Sequence, residues 1–391
     1  MDGTFVFLEG SFLDNVQLDI VGFLAILGEG SILANAQVAT LSRMQYIPRL
    51  LPAPQALLRP TRPSKLESNP GRVTAVYSGN HVERVGHIGH VVIDAEDMPE
   101  YTVRCVQIRR ANKNLVKART VGPLSVVILL GCAEAIVLIV LAIYHRDGFG
   151  FVSIMLLAFL STLIGVGNKW ELKLPARKDP SEHTPPGNVV IRYPKGSFLV
   201  VECDEDVARE LYFAPENIEY LVTHPWKYRI MSLIGTLMLM MGVVCLANAD
   251  IYQQIAFGSA YIVLNAAYWI VAALPAKVHW DLTCFEVSDQ RFENSQNNKH
   301  FVDHNETFTC ALWKAIVATK SIDWVRLDNA APQTTAWDDW LHEAQKKAND
   351  SRYHWDENKT KVWELPDWDP QAAIRDMMQL HKKPEKGENL A

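Results

Sequence analysis

The chain has 391 residues, of which 49% are hydrophobic, an average that is ordinary for a soluble protein. Its net charge of −6 gives no support to nucleic-acid binding, and its six cysteines include no Cys-x-x-Cys pair that would indicate a disulfide scaffold or zinc framework. The average hides two nearly uncharged blocks, residues 124–167 and 230–274. Asp2 and Glu9 occupy an N-terminus without early basic residues, so we expect no cleavable signal peptide.

Residues 1–40 contain an apolar stretch, residues 20–39, that is long enough to cross a bilayer. Glu29, Asn35 and Gln37 interrupt its apolar character, and such polar groups are unfavourable inside hydrocarbon. The stretch could therefore be a fifth span, a re-entrant segment or a helix lying on the membrane surface. Only a full span would move the N-terminus to the opposite side.

Residues 41–121 begin with a basic, proline-rich linker and continue into a small β-containing unit. Between residues 41 and 72, prolines alternate with arginines and lysines, a composition that does not favour a packed core. We favour a solvated linker. The alternative is a basic segment that contacts anionic lipid, at about 1 kcal/mol per basic residue near the surface.

The sequence of residues 72–110 predicts three strands, RVTAVYS, HIGHVVIDA and YTVRCVQIRR, because apolar and polar residues alternate between glycines and prolines. His87 and His90 of the second segment, with His81 and Glu83 nearby, are candidate metal ligands. In a strand, positions 87 and 90 point to opposite faces. We therefore favour surface histidines over a metal site.

Four segments predict transmembrane helices, because about 20 apolar residues are needed to cross about 30 Å of hydrocarbon. They are residues 124–143, 149–167, 230–247 and 255–274. None shows the polar stripe that a helix buried in a soluble core usually keeps. Short turns join them in pairs, which predicts two transmembrane hairpins, residues 122–167 and 229–274.

Lysines and arginines predict the orientation of these hairpins. Basic residues are frequent before the first span and at both ends of the segment between the hairpins, whereas the hairpin turns contain only Arg146. By the positive-inside rule, residues 41–121, 168–228 and 275–391 are expected in the cytoplasm. Three glycosylation sequons argue for the other side of the C-terminal region, and we give the charge asymmetry more weight: Asn305, Asn349 and Asn358.

Glu134, in the first predicted span, is the strongest single candidate for a functional site. An acidic residue at the centre of a helix costs about 2.5–3.5 kcal/mol on the insertion scale, which the surrounding Leu, Ile and Val residues outweigh. Intramembrane carboxylates often mark ion or proton paths, and Asn265 in the last span is the nearest polar partner by depth. Alternatively, a protonated Glu134 only hydrogen-bonds to a neighbouring helix.

The two remaining polar segments predict further cytoplasmic units. Residues 168–228 predict an α+β unit with a strand hairpin, NVVIRY and SFLVVEC, around Pro194-Lys195-Gly196. Residues 275–391 predict a helical region and tail that contain eight of the eleven tryptophans. We interpret these tryptophans as a compact core or as membrane-interface contacts, and a groove for a protein partner is the alternative.

The sequence lacks the common phosphate-binding, metalloprotease and hydrolase motifs, so it predicts no catalytic residue and no cofactor. Four stretches resemble uncharacterised multispanning integral membrane proteins of filamentous fungi: ILANAQVATLSRMQYIPRLLPAP, PGRVTAVYSGNHVERVGHIGHVVID, VVIRYPKGSFLVVECDEDVARELYFAPENIEYL and NAAYWIVAALP. The resemblance extends from about residue 20 to about residue 340. It implies a membrane location and a fungal source, and it assigns no functional residue.

The sequence therefore predicts an α-helical integral membrane protein, in the plasma membrane or an endomembrane, with two transmembrane helical hairpins and small α+β cytoplasmic units. The leading functional hypothesis is a scaffold or regulatory protein that contacts the lipid bilayer and binds a protein partner through residues 275–391. The alternative is a transporter or channel subunit that uses Glu134, and four or five helices would then need to form a homo-oligomer to enclose a pore. No residue constellation supports a third possibility, an enzyme with a lipidic substrate.

Overall fold

The computed structural model describes residues 29–95, 98–112, 116–173, 184–214, 216–293 and 302–382. Its α-helices are α1 (Glu29–Leu41), α2 (His87–Ile93), α3 (Pro123–His145), α4 (Gly148–Asn168), α5 (Glu205–Ala208), α6 (Pro225–Ala247), α7 (Ile251–Ala272), α8 (Phe308–Thr319), α9 (Asp323–Leu327), α10 (Thr335–Asp350) and α11 (Pro370–Leu380). Its strands are β1 (Asn69–Ala75), β2 (His81–Val85), β3 (Thr102–Arg110), β4 (Lys117–Ala118), β5 (Trp170–Lys173), β6 (Val189–Arg192), β7 (Phe198–Glu202), β8 (Asn217–Tyr220), β9 (Trp280–Asp281), β10 (Phe285–Phe292), β11 (Asp303–His304), β12 (Arg352–Trp355) and β13 (Lys361–Glu364).

The chain divides into two compact units, and it passes between them several times. The helical unit contains Met1–Lys65, Val116–Lys173 and Asn217–Asp281. The sheet unit contains Leu66–Leu115, Leu174–Glu216 and Leu282–Ala391. The sequence predicts that the polar stretches form three separate units. In the structure, all three stretches contribute strands to a single sheet.

Four helices of the helical unit, α3, α4, α6 and α7, are long and apolar enough to cross a membrane, with 21 to 23 residues each. Their starts follow local sequence signals. Pro123 and Pro225 occupy the first turns of α3 and α6, where a missing N–H is harmless. Asp147 caps α4 by accepting a hydrogen bond from the Gly150 N–H. These helices confirm the prediction of four long apolar helices in two sequential pairs.

The four apolar helices pack in the order α6-α4-α3-α7. α4 lies along α6, and α3 packs against both α4 and α7, whereas α6 and α7 make few contacts with each other. Leu138, Ile154, Leu160 and Leu264 are among the side chains buried between the helices. The outward faces carry exposed apolar side chains such as Val126, Ile136, Val140, Leu233, Leu237, Ile262 and Ile270. Helices that are apolar on every face are typical of membrane spans.

Residues 42–58, which the sequence suggests are part of a solvated linker, fold against the apolar helices instead. Leu50, Leu51, Ala53 and Ala56 belong to the same buried core as the helices. The linker prediction is therefore wrong for this segment. Its prolines do not prevent burial, because a proline has no backbone N–H that must find a partner in an apolar setting. Before this segment, α1 forms the described part of the predicted N-terminal apolar stretch, and residues 20–28 lie outside the described residues.

The sheet unit contains a nine-stranded mixed sheet in the order β12-β13-β10-β3-β7-β6-β1-β2, with β11 also paired to β3. β3 runs parallel to β7, and β10 runs parallel to β13. Val103 and Cys105 of β3 face the tryptophan-rich core, while the guanidinium of Arg104 between them donates to the Ile93 carbonyl at the end of α2. β3 is therefore covered on both faces, and so it keeps a buried arginine with a hydrogen-bond partner among its apolar residues.

Most tryptophans of residues 275–391 form the core of the sheet unit. Trp313, Trp324, Trp337, Trp340 and Trp363 are buried there, against β3, β7 and β10. The rings of Trp337 and Trp340 pack edge to face, with centroids 5.3 Å apart. The interpretation of a compact core is confirmed for these residues. The prediction of a helical region is incomplete, because β10 and β13 extend the sheet.

One predicted strand is wrong. Residues 87–93 form α2 rather than a strand. The helix is capped from far along the chain, because the Glu216 carboxylate accepts hydrogen bonds from the N–H groups of His87 (2.9 Å) and Ile88 (2.8 Å). Alternation alone cannot reveal a cap supplied from that distance. The predicted strands at β1 and β3, and the β6–β7 hairpin around Gly196, are confirmed.

Candidate functional site

The most unusual feature of the helical unit is the re-entrant segment, which we define as residues 42–58. This stretch contains no α-helix, only two short 3-10 helices, Arg43–Tyr46 and Pro54–Leu57, and it contacts all four apolar helices. The N–H of Leu50 donates to the Gly131 carbonyl of α3 (3.2 Å), and the N–H of Arg49 donates to Ser161 Oγ of α4 (3.0 Å). The N–H of Ala53 donates to the Tyr261 hydroxyl of α7 (3.0 Å), and Ser232 Oγ of α6 donates to the Leu58 carbonyl (2.5 Å). The helices thus supply the polar partners that an irregular backbone needs when it is buried among apolar side chains.

The re-entrant segment reaches far along the helices. Tyr261 lies eleven residues before Ala272, the end of α7, which corresponds to about 16 Å at 1.5 Å per residue. Gly131 lies eight residues after Pro123, or about 12 Å from the start of α3. The segment therefore enters from one end of the helices and turns back near their middle.

Two glycines make room for the backbone of this segment. A Cβ atom on Gly131 would lie 2.7 Å from the Leu50 carbonyl oxygen. A Cβ atom on Gly165 of α4 would lie even closer to the Gln45 carbonyl oxygen. Small residues at helix interfaces generally permit such close approach. The sequence contains both glycines within the predicted spans but does not show what approaches them.

Arg49 is a charged residue that the sequence analysis did not single out, although it is 1% exposed. Its guanidinium donates to the carbonyls of Gln45 and Ile47, both at 3.2 Å, and to Gln45 Oε1 at 2.8 Å. No carboxylate in the described part of the chain pairs with it. Arg49 therefore stabilises residues 45–49 of the re-entrant segment through hydrogen bonds. An arginine within the apolar run IPRLLPAP is the signal that could have revealed it.

Glu134 and Asn265, the predicted intramembrane polar site, are not joined by a hydrogen bond in the described structure. Glu134 is half-buried on α3, and its Oε2 atom has no partner among the described residues. Asn265 Nδ2 donates to the Tyr261 carbonyl one turn earlier in α7 (3.0 Å). Glu134 also lines neither of the two cavities of the helical unit described below. The geometry does not favour a polar path between these two residues.

Replacing Glu134 with leucine is expected to stabilise the protein. An isolated carboxyl at the centre of a span is unfavourable by about 2.5–3.5 kcal/mol on the insertion scale, and no described partner compensates for it. Thermal unfolding of the detergent-solubilised protein should therefore show a higher melting temperature for Glu134→Leu than for wild type, with Glu134→Gln between them. A lower melting temperature, or loss of an oligomer, would show that Glu134 has a partner in an assembly.

An apolar cavity of about 220 Å³ lies between α4, α6, α7 and the re-entrant segment. Leu50, Leu51, Leu239, Phe257 and Leu264 contribute to its walls. It lies on the side where α6 and α7 are not packed together. A cavity with such a predominantly apolar lining suits hydrocarbon rather than a polar ligand.

A second cavity of the helical unit, the interfacial cavity, has a volume of about 440 Å³. We define it by α1 residues Leu33, Ala36, Gln37 and Thr40, by residues 56–63, by Asn168 and Trp170, and by Ile218, Tyr220 and Tyr228. Asn168 is the last residue of α4 and Tyr228 lies in the first turn of α6, so the cavity lies level with the helix ends. Its basic residues, Arg59 and Arg62, were noted in the sequence only as part of the basic segment.

The sheet unit contains a polar cavity of about 600 Å³ at the carboxyl ends of the parallel strands β3 and β7. Glu202 accepts hydrogen bonds there from Lys361 and Gln290, both at 2.8 Å. Burial alone would raise the pKa of Glu202, but these hydrogen bonds, together with the positive charges of Lys361 and Arg109, outweigh it and lower that pKa. Burial raises the pKa of the nearby Cys203 thiol, which does not favour a nucleophilic thiolate. The polar side chains of the cavity thus stabilise one another.

The histidine candidates do not form a metal centre. On α2, His87 and His90 share a helix face instead of pointing to opposite faces, and His90 Nδ1 lies 3.3 Å from the Tyr193 hydroxyl. Across the described ranges, no group of three or more His, Cys, Asp or Glu side chains is arranged to hold a metal ion.

Comparison with known proteins assigns neither a family nor a function to the chain. The chain matches no protein-family model, no curated protein and no solved structure.

Proposed function

We propose that this chain is an integral membrane protein whose four apolar helices span the bilayer and whose sheet unit lies in the cytoplasm, where it binds a protein partner. One observation carries the proposal: a polar α+β unit belongs to the same chain as four helices whose outer faces are apolar over most of their length. Exposing such faces to water would forfeit about 25 cal/mol for each Å² of apolar surface.

The distribution of charge supports a cytoplasmic sheet unit. The helix ends that connect to this unit carry Lys117, Arg119, Lys169, Lys227 and Arg229. The two hairpin turns, residues 146–147 and 248–250, carry one arginine and two aspartates. Under the positive-inside rule the turns face away from the cytoplasm.

The first sequon also fits a cytoplasmic location. Asn305 Nδ2 donates to the Tyr101 carbonyl (3.0 Å), and Thr307 of the same sequon caps α8 by accepting from the Cys310 N–H. Asn305 Nδ2 also donates to the Asp303 carbonyl (3.2 Å), and a glycan would replace one of its two hydrogens, so at least one of these two hydrogen bonds would be lost. The engagement of this side chain in the fold thus weakens the argument that the sequons lie outside the cytoplasm.

The best surface for a protein partner is β12, at one end of the sheet. Among the described strands, β12 pairs only with β13, and all four of its residues are exposed. Tyr353 is 49% exposed and Trp355 is 55% exposed, whereas Trp363 opposite Tyr353 is buried. An open edge strand offers backbone N–H and C=O groups to an incoming extended segment, and exposed aromatic residues strengthen such contacts. We propose that an extended peptide of the partner adds to this edge.

The partner contact is testable without dismantling the fold. Deleting residues 275–391 would remove β10 from the middle of the sheet, so point substitutions are needed. A photoreactive amino acid in place of Tyr353 in native membranes should crosslink one defined protein, and Trp355→Glu should reduce that product at least tenfold. Leu327→Glu, at another exposed apolar position, is the matched control and should leave it unchanged. Equal yields with Trp355→Glu and wild type would rule out β12 as the contact surface.

A further inference from the structure

The interfacial cavity holds positive charge that the described chain does not neutralise. The guanidinium of Arg62 lies between the rings of Tyr220 and Tyr228, at 3.9 and 4.0 Å from their centroids. It donates to the carbonyls of Gly167 (2.6 Å) and Val222 (2.8 Å), and no carboxylate in the described ranges pairs with it. Its charge is therefore held in place by rings and carbonyls, which orient it without cancelling it.

A second guanidinium at this cavity is available to a ligand. Arg59 pairs with Glu29 at 2.6 Å, but both side chains are more than half exposed. Exposed pairs of this kind contribute little to stability, so Arg59 can exchange this partner for another anion at small cost. The Gln37 amide and the Thr61 hydroxyl also line the cavity, and no hydrogen bond engages either group within the described part of the chain.

We propose that the interfacial cavity binds the phosphate group of an anionic glycerophospholipid. Two positive charges and two hydrogen-bonding side chains match a phosphate, and guanidinium groups bind phosphate oxygens in pairs. Leu33, Ala36 and Leu57 give the same cavity an apolar wall, which suits the glycerol and ester region of a lipid. The position of the cavity, level with Asn168 at the end of α4, coincides with the depth of lipid headgroups when the helices span a bilayer.

This inference makes specific the alternative that the basic segment contacts anionic lipid. The inference rests on the proposed membrane-spanning role of the helices. The experiment that tests it does not depend on that role, because lipid binding can be measured in micelles. The full chain in a neutral detergent would be titrated with dioctanoyl phosphatidic acid, and bound lipid counted by native mass spectrometry. Dioctanoyl phosphatidylcholine and glycerol 3-phosphate are the comparison ligands.

We expect Arg59→Gln to weaken the binding of phosphatidic acid about tenfold, the effect of losing one charge-assisted hydrogen bond. Arg229→Gln, an exposed arginine in the first turn of α6 outside the cavity, should change it less than twofold. Arg62→Lys keeps the charge but loses the planar group between the tyrosines, and should also weaken binding. Phosphatidylcholine should bind at least tenfold more weakly than phosphatidic acid.

Three results would overturn the inference. If Arg59→Gln and Arg229→Gln weaken the binding of phosphatidic acid equally, the lipid is attracted by general surface charge and not by the cavity. Equal affinity for phosphatidylcholine would exclude recognition of an anionic headgroup. Full competition by glycerol 3-phosphate at the same concentration as the lipid would show that the cavity takes a soluble phosphate ester instead. Since sidedness and span number are not measured in this assay, each of these results leaves the proposed membrane topology intact.

Discussion

Replacing Gly165 with alanine is expected to displace the re-entrant segment and to lower the melting temperature of the solubilised protein by about 5 °C. A Cβ at this position would overlap the Gln45 carbonyl, which is backbone and cannot rotate away. Overpacking of this kind costs about 1–3 kcal/mol, and each kcal/mol corresponds to about 2–4 °C for a unit of this size. Differential scanning fluorimetry in detergent measures the change.

Gly148→Ala is the matched control for this prediction. Gly148 lies in the first turn of the same helix, and a Cβ there would meet nothing within 4 Å. Because alanine also has a higher helix propensity than glycine, Gly148→Ala should be neutral or slightly stabilising. If both variants melt at the wild-type temperature, the segment does not lie against α4 as described. Protease sensitivity within residues 42–58 should rise only in Gly165→Ala.

The second large effect is expected in the sheet unit, where Trp340→Ala should destabilise the fold by about 3–5 kcal/mol. Trp340 is completely buried, its ring packs against Trp337 and Trp368, and its indole N–H donates to the Pro370 carbonyl (2.9 Å). The substitution leaves a cavity and removes the indole hydrogen bond to the carbonyl at the start of α11. A urea titration of the full chain followed by circular dichroism would report the loss.

Trp355→Ala provides the comparison for Trp340→Ala. The two residues belong to the same C-terminal region, but Trp355 is exposed and β12 is an edge strand. We expect its substitution to change the free energy of unfolding by no more than about 0.5 kcal/mol, as for most surface positions. Equal losses for the two variants would show that β12 is covered by other parts of the protein, which would also remove the proposed partner surface.

Features decided by a short stretch of sequence could be predicted. The four apolar helices follow from length and hydropathy alone, and α6 and α7 differ from the predicted spans by a few residues at their starts. The start of α11 is equally local: Asp369 accepts hydrogen bonds from the N–H groups of Gln371 and Ala372, and Pro370 occupies the first turn. In each case the determining residues are neighbours in the chain.

Features that depend on distant partners could not be predicted. α2 forms where a strand was expected because Glu216, more than a hundred residues later, caps it. The parallel pairing of β3 with β7 joins strands that lie on either side of the α3–α4 hairpin. The re-entrant segment is stabilised by Ser161, Ser232 and Tyr261, whose roles depend on helix packing. The composition of residues 42–58 predicts a linker, because amino-acid composition contains no information about these partners.

The residues of the candidate sites also differ in whether the sequence reveals their role. Glu134 is conspicuous in the sequence because an intramembrane acid is rare, yet among the described residues its Oε2 atom has no partner. Arg62 is inconspicuous among other basic residues, yet it is fixed between two tyrosine rings beside a cavity. Tyr220 and Tyr228 give no sequence signal of this role, because β8 and α6 bring them to Arg62 only in the folded chain.

The central claim, that the four helices span a membrane with the sheet unit inside, is tested most directly by cysteine accessibility in intact cells. Asn248→Cys lies in the α6–α7 turn and Asn358→Cys lies in the β12–β13 turn, and both positions are exposed. A membrane-impermeant maleimide should label Asn248→Cys in intact cells, and should label Asn358→Cys only after permeabilisation, with the wild-type chain as the background. Labelling of both variants at the same rate without permeabilisation, or release of the protein from membranes by alkaline carbonate, would contradict the account.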